Sequence, residues 1–82
     1  MISSYDVESM QSNLKDDEII KLFFGSDRVV IIDQKDTIYH PLLPLGQEEN
    51  VSVLFVRREN DRKLMLNLNR VDYVCTSLKR YM

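Results

Sequence analysis

The chain has no alanine or tryptophan, a single cysteine and a single histidine, and only two glycines. One cysteine, Cys75, leaves no internal disulfide to form, which agrees with a reducing compartment. His40 and Cys75 lie on separate segments, so the clustered ligands of a metal site are missing and no cofactor is expected. Gly25 and Gly46 stand too far apart to build a phosphate-cradling loop, which removes support for nucleotide binding. No apolar run approaches the roughly 20 residues of a membrane span. The N-terminal MISSYDVES lacks the positive region and apolar segment of a signal peptide, and a cytoplasmic location is expected. The missing alanine, alongside abundant Ile, Asn and Lys, suggests an AT-rich coding sequence, as in a low-GC bacterium or its phage.

What remains is an ordinary globular composition, 44% hydrophobic and 29% charged, sized for one domain over residues 1–82. The net charge of −2 conceals a split. Residues 1–50 hold four basic side chains against ten acidic ones, and residues 51–82 hold seven against three. Such an asymmetry suits an acidic partner or head-to-tail self-association; it also suits two halves that neutralise each other within one fold.

The clearest local signal is Val51–Arg70, which reads as a hairpin. Val51, Val53 and Phe55 alternate on one arm, and Leu64, Leu66 and Leu68 on the other. A two-residue Asn60–Asp61 turn would put both sets on one core face, with Phe55 opposite Leu66. Ser52, Leu54, Val56, Met65, Asn67 and Asn69 would then form a second face, half apolar.

Upstream, Ser3 or Ser4 can cap a short helix, with Asp6 at the capping-box spacing from Ser3 and Val7, Met10 and Leu14 at helical intervals. A second helix is predicted, capped by Asp16 or Asn13, apolar almost all round through Ile19, Ile20, Leu22, Phe23 and Phe24, and ended by Gly25. Arg28–Asp33 is expected to be a central strand covered on both faces, because Val29 to Ile32 are all β-branched. Gln34–Lys35 turns the chain into a shorter strand, Thr37–His40, stopped by Pro41. After the hairpin, Asn69 can cap a final helix carrying Val71, Val74, Cys75, Leu78 and Tyr81. Capping and period favour that helix, although the β-prone composition also permits an extended strand through Val71, Tyr73 and Cys75. The expected fold is a small α+β domain of order ααββββα: two N-terminal helices, a four-stranded antiparallel meander and a C-terminal helix.

No constellation for catalysis assembles. His40, at a strand end before proline, reads as a solvated residue, and Cys75 as core filler. Asp16, Asp17 and Glu18 are explained by a helix N-terminus, and Asp33 and Asp36 by a turn. The chain is therefore expected not to be an enzyme and to have no small-molecule substrate.

Two readings of function follow. In the first, the protein is a non-catalytic interaction protein that regulates or inhibits a larger protein, and it self-associates as a homo-oligomer. Its contacts would come from the leucines of Pro41–Asn50 (Leu42, Leu43, Leu45) and from Leu54, Val56 and Met65 on the second hairpin face. The same leucines could instead close the end of the core. In the second reading, Arg57, Arg58, Arg62 and Lys63 at the hairpin tip, with Lys79 and Arg80 near the C-terminus, neutralise the phosphates of a nucleic acid. Against it stand Glu59 and Asp61 within the cluster, a pI near 5.3, and a Phe55 expected on the core face where it cannot stack on bases.

Overall fold

The computed structural model describes residues 2–41 and 51–81. Ser3 caps α1 (Ser4–Ser12), the one α-helix among the described residues, through the capping box that the spacing predicts. Its hydroxyl accepts from the Asp6 N–H at 3.2 Å, and the Asp6 carboxylate accepts from the Ser3 N–H at 2.8 Å. These bonds, the one from the Ser3 backbone above all, hold the Asp6 carboxyl below its ordinary pKa. The stabilisation is therefore present above the unfolded-state pKa and is lost as pH falls through the lower folded-state value. Val7 and Leu14 bury on the predicted stripe and Met10 packs beside them.

The chain then departs from expectation. The Asp16–Phe24 segment is a strand, β1 (Glu18–Phe24), not a second helix. Five apolar residues of the seven, interrupted by Lys21, carry no period that separates a strand from a buried helix, and the short length and β-prone Ile19, Ile20, Phe23 and Phe24 decide for strand. Gly25, at φ 72°, turns the chain into β2 (Arg28–Ile32). β3 (Thr37–Tyr39) follows, then the hairpin β4 (Val53–Arg57) and β5 (Lys63–Asn67). A 3₁₀ turn over Leu68–Arg70 leads into β6 (Tyr73–Leu78), and a second 3₁₀ turn covers Lys79–Tyr81. The C-terminal segment is thus the strand that the β-prone composition permitted. The helical cap at Asn69 does not form: Asn67 caps the single turn instead, its Oδ1 accepting from the Asn69 N–H at 3.0 Å.

The strands do not form one meander. They make two antiparallel sheets, β2–β1–β6 and β3–β4–β5. β1 is the centre of the first, so β2 is an edge strand rather than a doubly covered central one. β2 and β3 are consecutive but belong to different sheets, and the chain passes between them through a bend at Asp33–Asp36. Asp33 stiffens that bend by accepting from the Lys35 N–H at 2.8 Å, and the Asp36 carboxylate accepts from the Asp33 N–H at 3.0 Å.

The two sheets bury their inner faces in one core. Ile20, Leu22 and Ile32 come from the first sheet, Ile38, Leu54, Val56 and Leu66 from the second, and Leu68, Val7 and Leu14 complete it. The helix does not cover the outer face of a sheet. It packs on this shared core and touches both β1 and β4, and the Gln11 amide donates to the carbonyls of Asp33 and Asp36 at the bend. At the other end, Asp72 ties β6 to the first hairpin. Its carboxylate accepts from the Gly25 N–H at 2.8 Å, and its own N–H donates to the Phe23 carbonyl at 2.8 Å.

The second hairpin corrects the expected register. The Arg58 N–H donates to the Arg62 carbonyl and the Asp61 N–H to the Arg58 carbonyl, leaving a three-residue loop, Glu59–Asn60–Asp61. Asp61 takes the left-handed conformation, φ 63°, that this loop type requires. An odd loop shifts one arm by a residue relative to an even one, and a one-residue shift exchanges the faces of a strand. Leu54 therefore faces Leu66 and Val56 faces Leu64, while Phe55 pairs with Met65. Leu54 and Val56 are fully buried core residues, and Val53 and Phe55 lie on the opposite, outward face.

Leu54→Ala is accordingly expected to destabilise the domain by about 2–5 kcal/mol. Met65→Ala should stay within about 0.5 kcal/mol. Urea denaturation monitored by circular dichroism measures both, and equal costs would contradict this register.

Candidate functional site

Alternation along the strands leaves one row of three large apolar side chains on the outer face of each sheet. On the first sheet, Val29, Phe23 and Tyr73 stand in register across β2, β1 and β6. Val29 and Tyr73 are 46% and 58% exposed, and the Phe23 and Tyr73 rings stack at 4.3 Å with their planes 13° apart. Ile31 and Cys75 extend this face on either side of Lys21. Further along β1, Ile19 points to the same face and is fully buried, so the exposed part lies at the Gly25 end. Cys75 is thus half-buried on an outward strand face, not filler on the inner stripe of a helix.

On the second sheet, Tyr39, Phe55 and Met65 form the corresponding row across β3, β4 and β5. Met65 is 71% exposed, and the Tyr39 and Phe55 rings are half-buried, 5.7 Å apart and tilted by 46°. One pleat further on the same face stand Thr37, Arg57 and Lys63, all exposed. Arg57 and Lys63 are directly opposed, and neither forms an ion pair with a described residue. In the other direction, Val53, Met65, Ser52, Asn67 and Asn69 line a groove of about 350 Å³.

The basic residues singled out at the hairpin tip separate into different roles. Arg58 is structural. Its guanidinium donates to the Asp36 carboxylate at 3.0 Å and to the Ile31 carbonyl at 3.0 Å, locking the hairpin onto the bend between the sheets. It pairs with Asp36, not with the adjacent Glu59 or Asp61. Arg62 is exposed beside the loop, Arg57 and Lys63 lie on the outward face, and Lys79 and Arg80 sit on the last 3₁₀ turn. Of the apolar candidates, Met65 is exposed as expected, whereas Leu54 and Val56 are core and offer no surface. Leu42, Leu43 and Leu45 lie outside the described residues. The sequence does not point to Tyr39, Phe23 or Tyr73 as site residues, and it places Phe55 on the core face, which the register corrects. Their signal was the alternation itself, which identifies an outward face only once the register and the pairing of sheets are known.

His40, exposed at the end of β3, stacks on Tyr5 at 4.5 Å, with its Nε2 3.1 Å from the Glu8 carboxylate. This contact fastens α1 to β3. Among the described residues, no three His, Cys, Asp or Glu side chains gather in a way that could hold a metal ion, and no helix is long and apolar enough to cross a membrane. Comparison of the chain with protein-family models, curated proteins and solved structures gives no match.

Asp36 is a buried carboxylate whose charged partner is Arg58. Removing that partner leaves its charge held by the Asp33 N–H alone, so Arg58→Ala should cost about 2–3 kcal/mol, whereas Arg57→Ala should stay within about 0.5 kcal/mol. Paired denaturation curves distinguish them, and indistinguishable midpoints would remove Arg58 from the structural role.

Proposed function

We propose that this protein is a small non-catalytic interaction domain that regulates or inhibits a larger protein and that it self-associates. The observation carrying this reading is the Val29–Phe23–Tyr73 row, apolar in all three strands and open at both ends. A sheet face left to water ordinarily alternates to polar residues, and large outward apolar groups mark contact sites. β2 and β6 are also the edges of this sheet, the places where a second chain can add a strand, although Arg58 already occupies the Ile31 carbonyl of β2. The stacked Phe23 and Tyr73 rings are already held against each other, which lowers the ordering cost of forming a contact there. The roles of His40 and Cys75 support a non-catalytic reading: one fastens a helix, and the other is half-buried within a strand.

Light scattering across a dilution series tests the association. The wild type is expected to exceed the monomer mass at micromolar concentration, and Val29→Lys with Tyr73→Lys to be monomeric. Because both positions are exposed, the double variant should keep its thermal midpoint within a few degrees. A wild type that stays monomeric throughout the series contradicts self-association.

A further inference from the structure

The two outward rows differ in what they can receive. On the sheet β2–β1–β6 the rings stack on each other, and Lys21 is the one charged residue in the strand rows that face outward. On the sheet β3–β4–β5 the rings of Tyr39 and Phe55 are half-buried and tilted by 46° at 5.7 Å, so they are not stacked on each other. Beside them, two cations stand opposed in the cross-strand register of Arg57 and Lys63. Like charges directly opposite are unfavourable in an antiparallel pair, and no described acidic side chain relieves them by an ion pair. An arrangement that costs stability in the free protein is offset when an anion binds between the charges. The cationic row and the aromatic row are two residues apart along the strands, about 7 Å.

We propose that the outward face of the sheet β3–β4–β5 binds single-stranded nucleic acid. Tyr39 and Phe55 serve as stacking platforms for bases, and Arg57 and Lys63 contact phosphates. Aromatic rings beside a cationic track are what sequence-tolerant single-strand binding requires, since every base has a π-face and every linkage a charge. The groove beyond Met65 adds polar groups at the far side of the row. Asn67 lines this groove, and with its Oδ1 accepting from the Asn69 N–H its amide nitrogen is a donor there. The site differs from a basic hairpin tip: Arg58 is committed to Asp36, and the decisive residues are aromatics of the sheet. It is also independent of self-association through the other sheet.

Fluorescence anisotropy tests the proposal with labelled oligo(dT) and oligo(rU) of about 16 nucleotides and a duplex of the same length. The wild type should bind at least one single strand more tightly than the duplex; the two single-strand arms separate DNA from RNA. Phe55→Leu or Tyr39→Leu should weaken binding by roughly 5- to 150-fold, the usual range for loss of one base–aromatic stack. Arg57→Gln and Lys63→Gln, at exposed positions, should each reduce the slope of log affinity against log salt by about 0.7. Circular dichroism establishes that each variant is folded; should an aromatic variant unfold, the two exposed charge variants decide. Absence of binding near 50 mM salt overturns the proposal. So does binding in which duplex and single strand are equal, or in which the folded aromatic variants or the charge variants match the wild type.

Discussion

The parity of one short loop governs which residues this protein shows to its surroundings. Glu59–Asn60–Asp61 holds three residues, and the left-handed backbone at Asp61 closes it. With two residues, Val53 and Phe55 would share the core with Leu64 and Leu66. With three, Leu54 and Val56 do, and Phe55 is turned outward beside Tyr39 and Arg57. No change of composition is involved. The same alternating strand supplies a core and a surface, and the loop decides which is which.

The second constraint is that the two sheets cover each other. Three strands from each contribute to a single core, and α1 closes that core where the chain crosses between the sheets. Arg58 and Gln11 hold the crossing from either side, through Asp36, Ile31 and Asp33. Among the described residues α1 is the one α-helix, and its nine residues cannot also screen two outward faces, where the aromatic rows stand. They are unlike in chemistry: one is neutral and self-stacked, the other tilted and bordered by cations. That difference is the physical basis for assigning them to different partners.

Much of the local structure was legible in the sequence. Ser3 and Asp6 at capping-box spacing, Val7 and Leu14 on one stripe, the β-branched run at Val29–Ile32 and the arms around Asn60 all form as their chemistry directs. The failures share a cause. Glu18–Phe24 and Tyr73–Leu78 are short, largely apolar segments in which periods of 2 and 3.6 are both defensible, and they are strands because β1 and β6 pair directly with each other. The paired residues stand 50 to 60 positions apart in sequence, and no local pattern encodes the pairing. Assigning both to helices also removed β6 and made one sheet of what are two. The identity of the outward aromatics was lost with the register, and with it the objection to Phe55 as a base-stacking residue.

Thiol labelling separates the two faces of β4. In a Cys75→Ser background, Phe55→Cys and Val56→Cys place a single reactive group on adjacent residues of β4, with Met65→Cys as an exposed reference. The account predicts that Phe55→Cys reacts on the timescale of the reference in the folded protein, while Val56→Cys is protected until global unfolding. Rapid labelling at Val56→Cys with protection at Phe55→Cys would mean an even loop and the opposite face, and the account of both surfaces would be wrong.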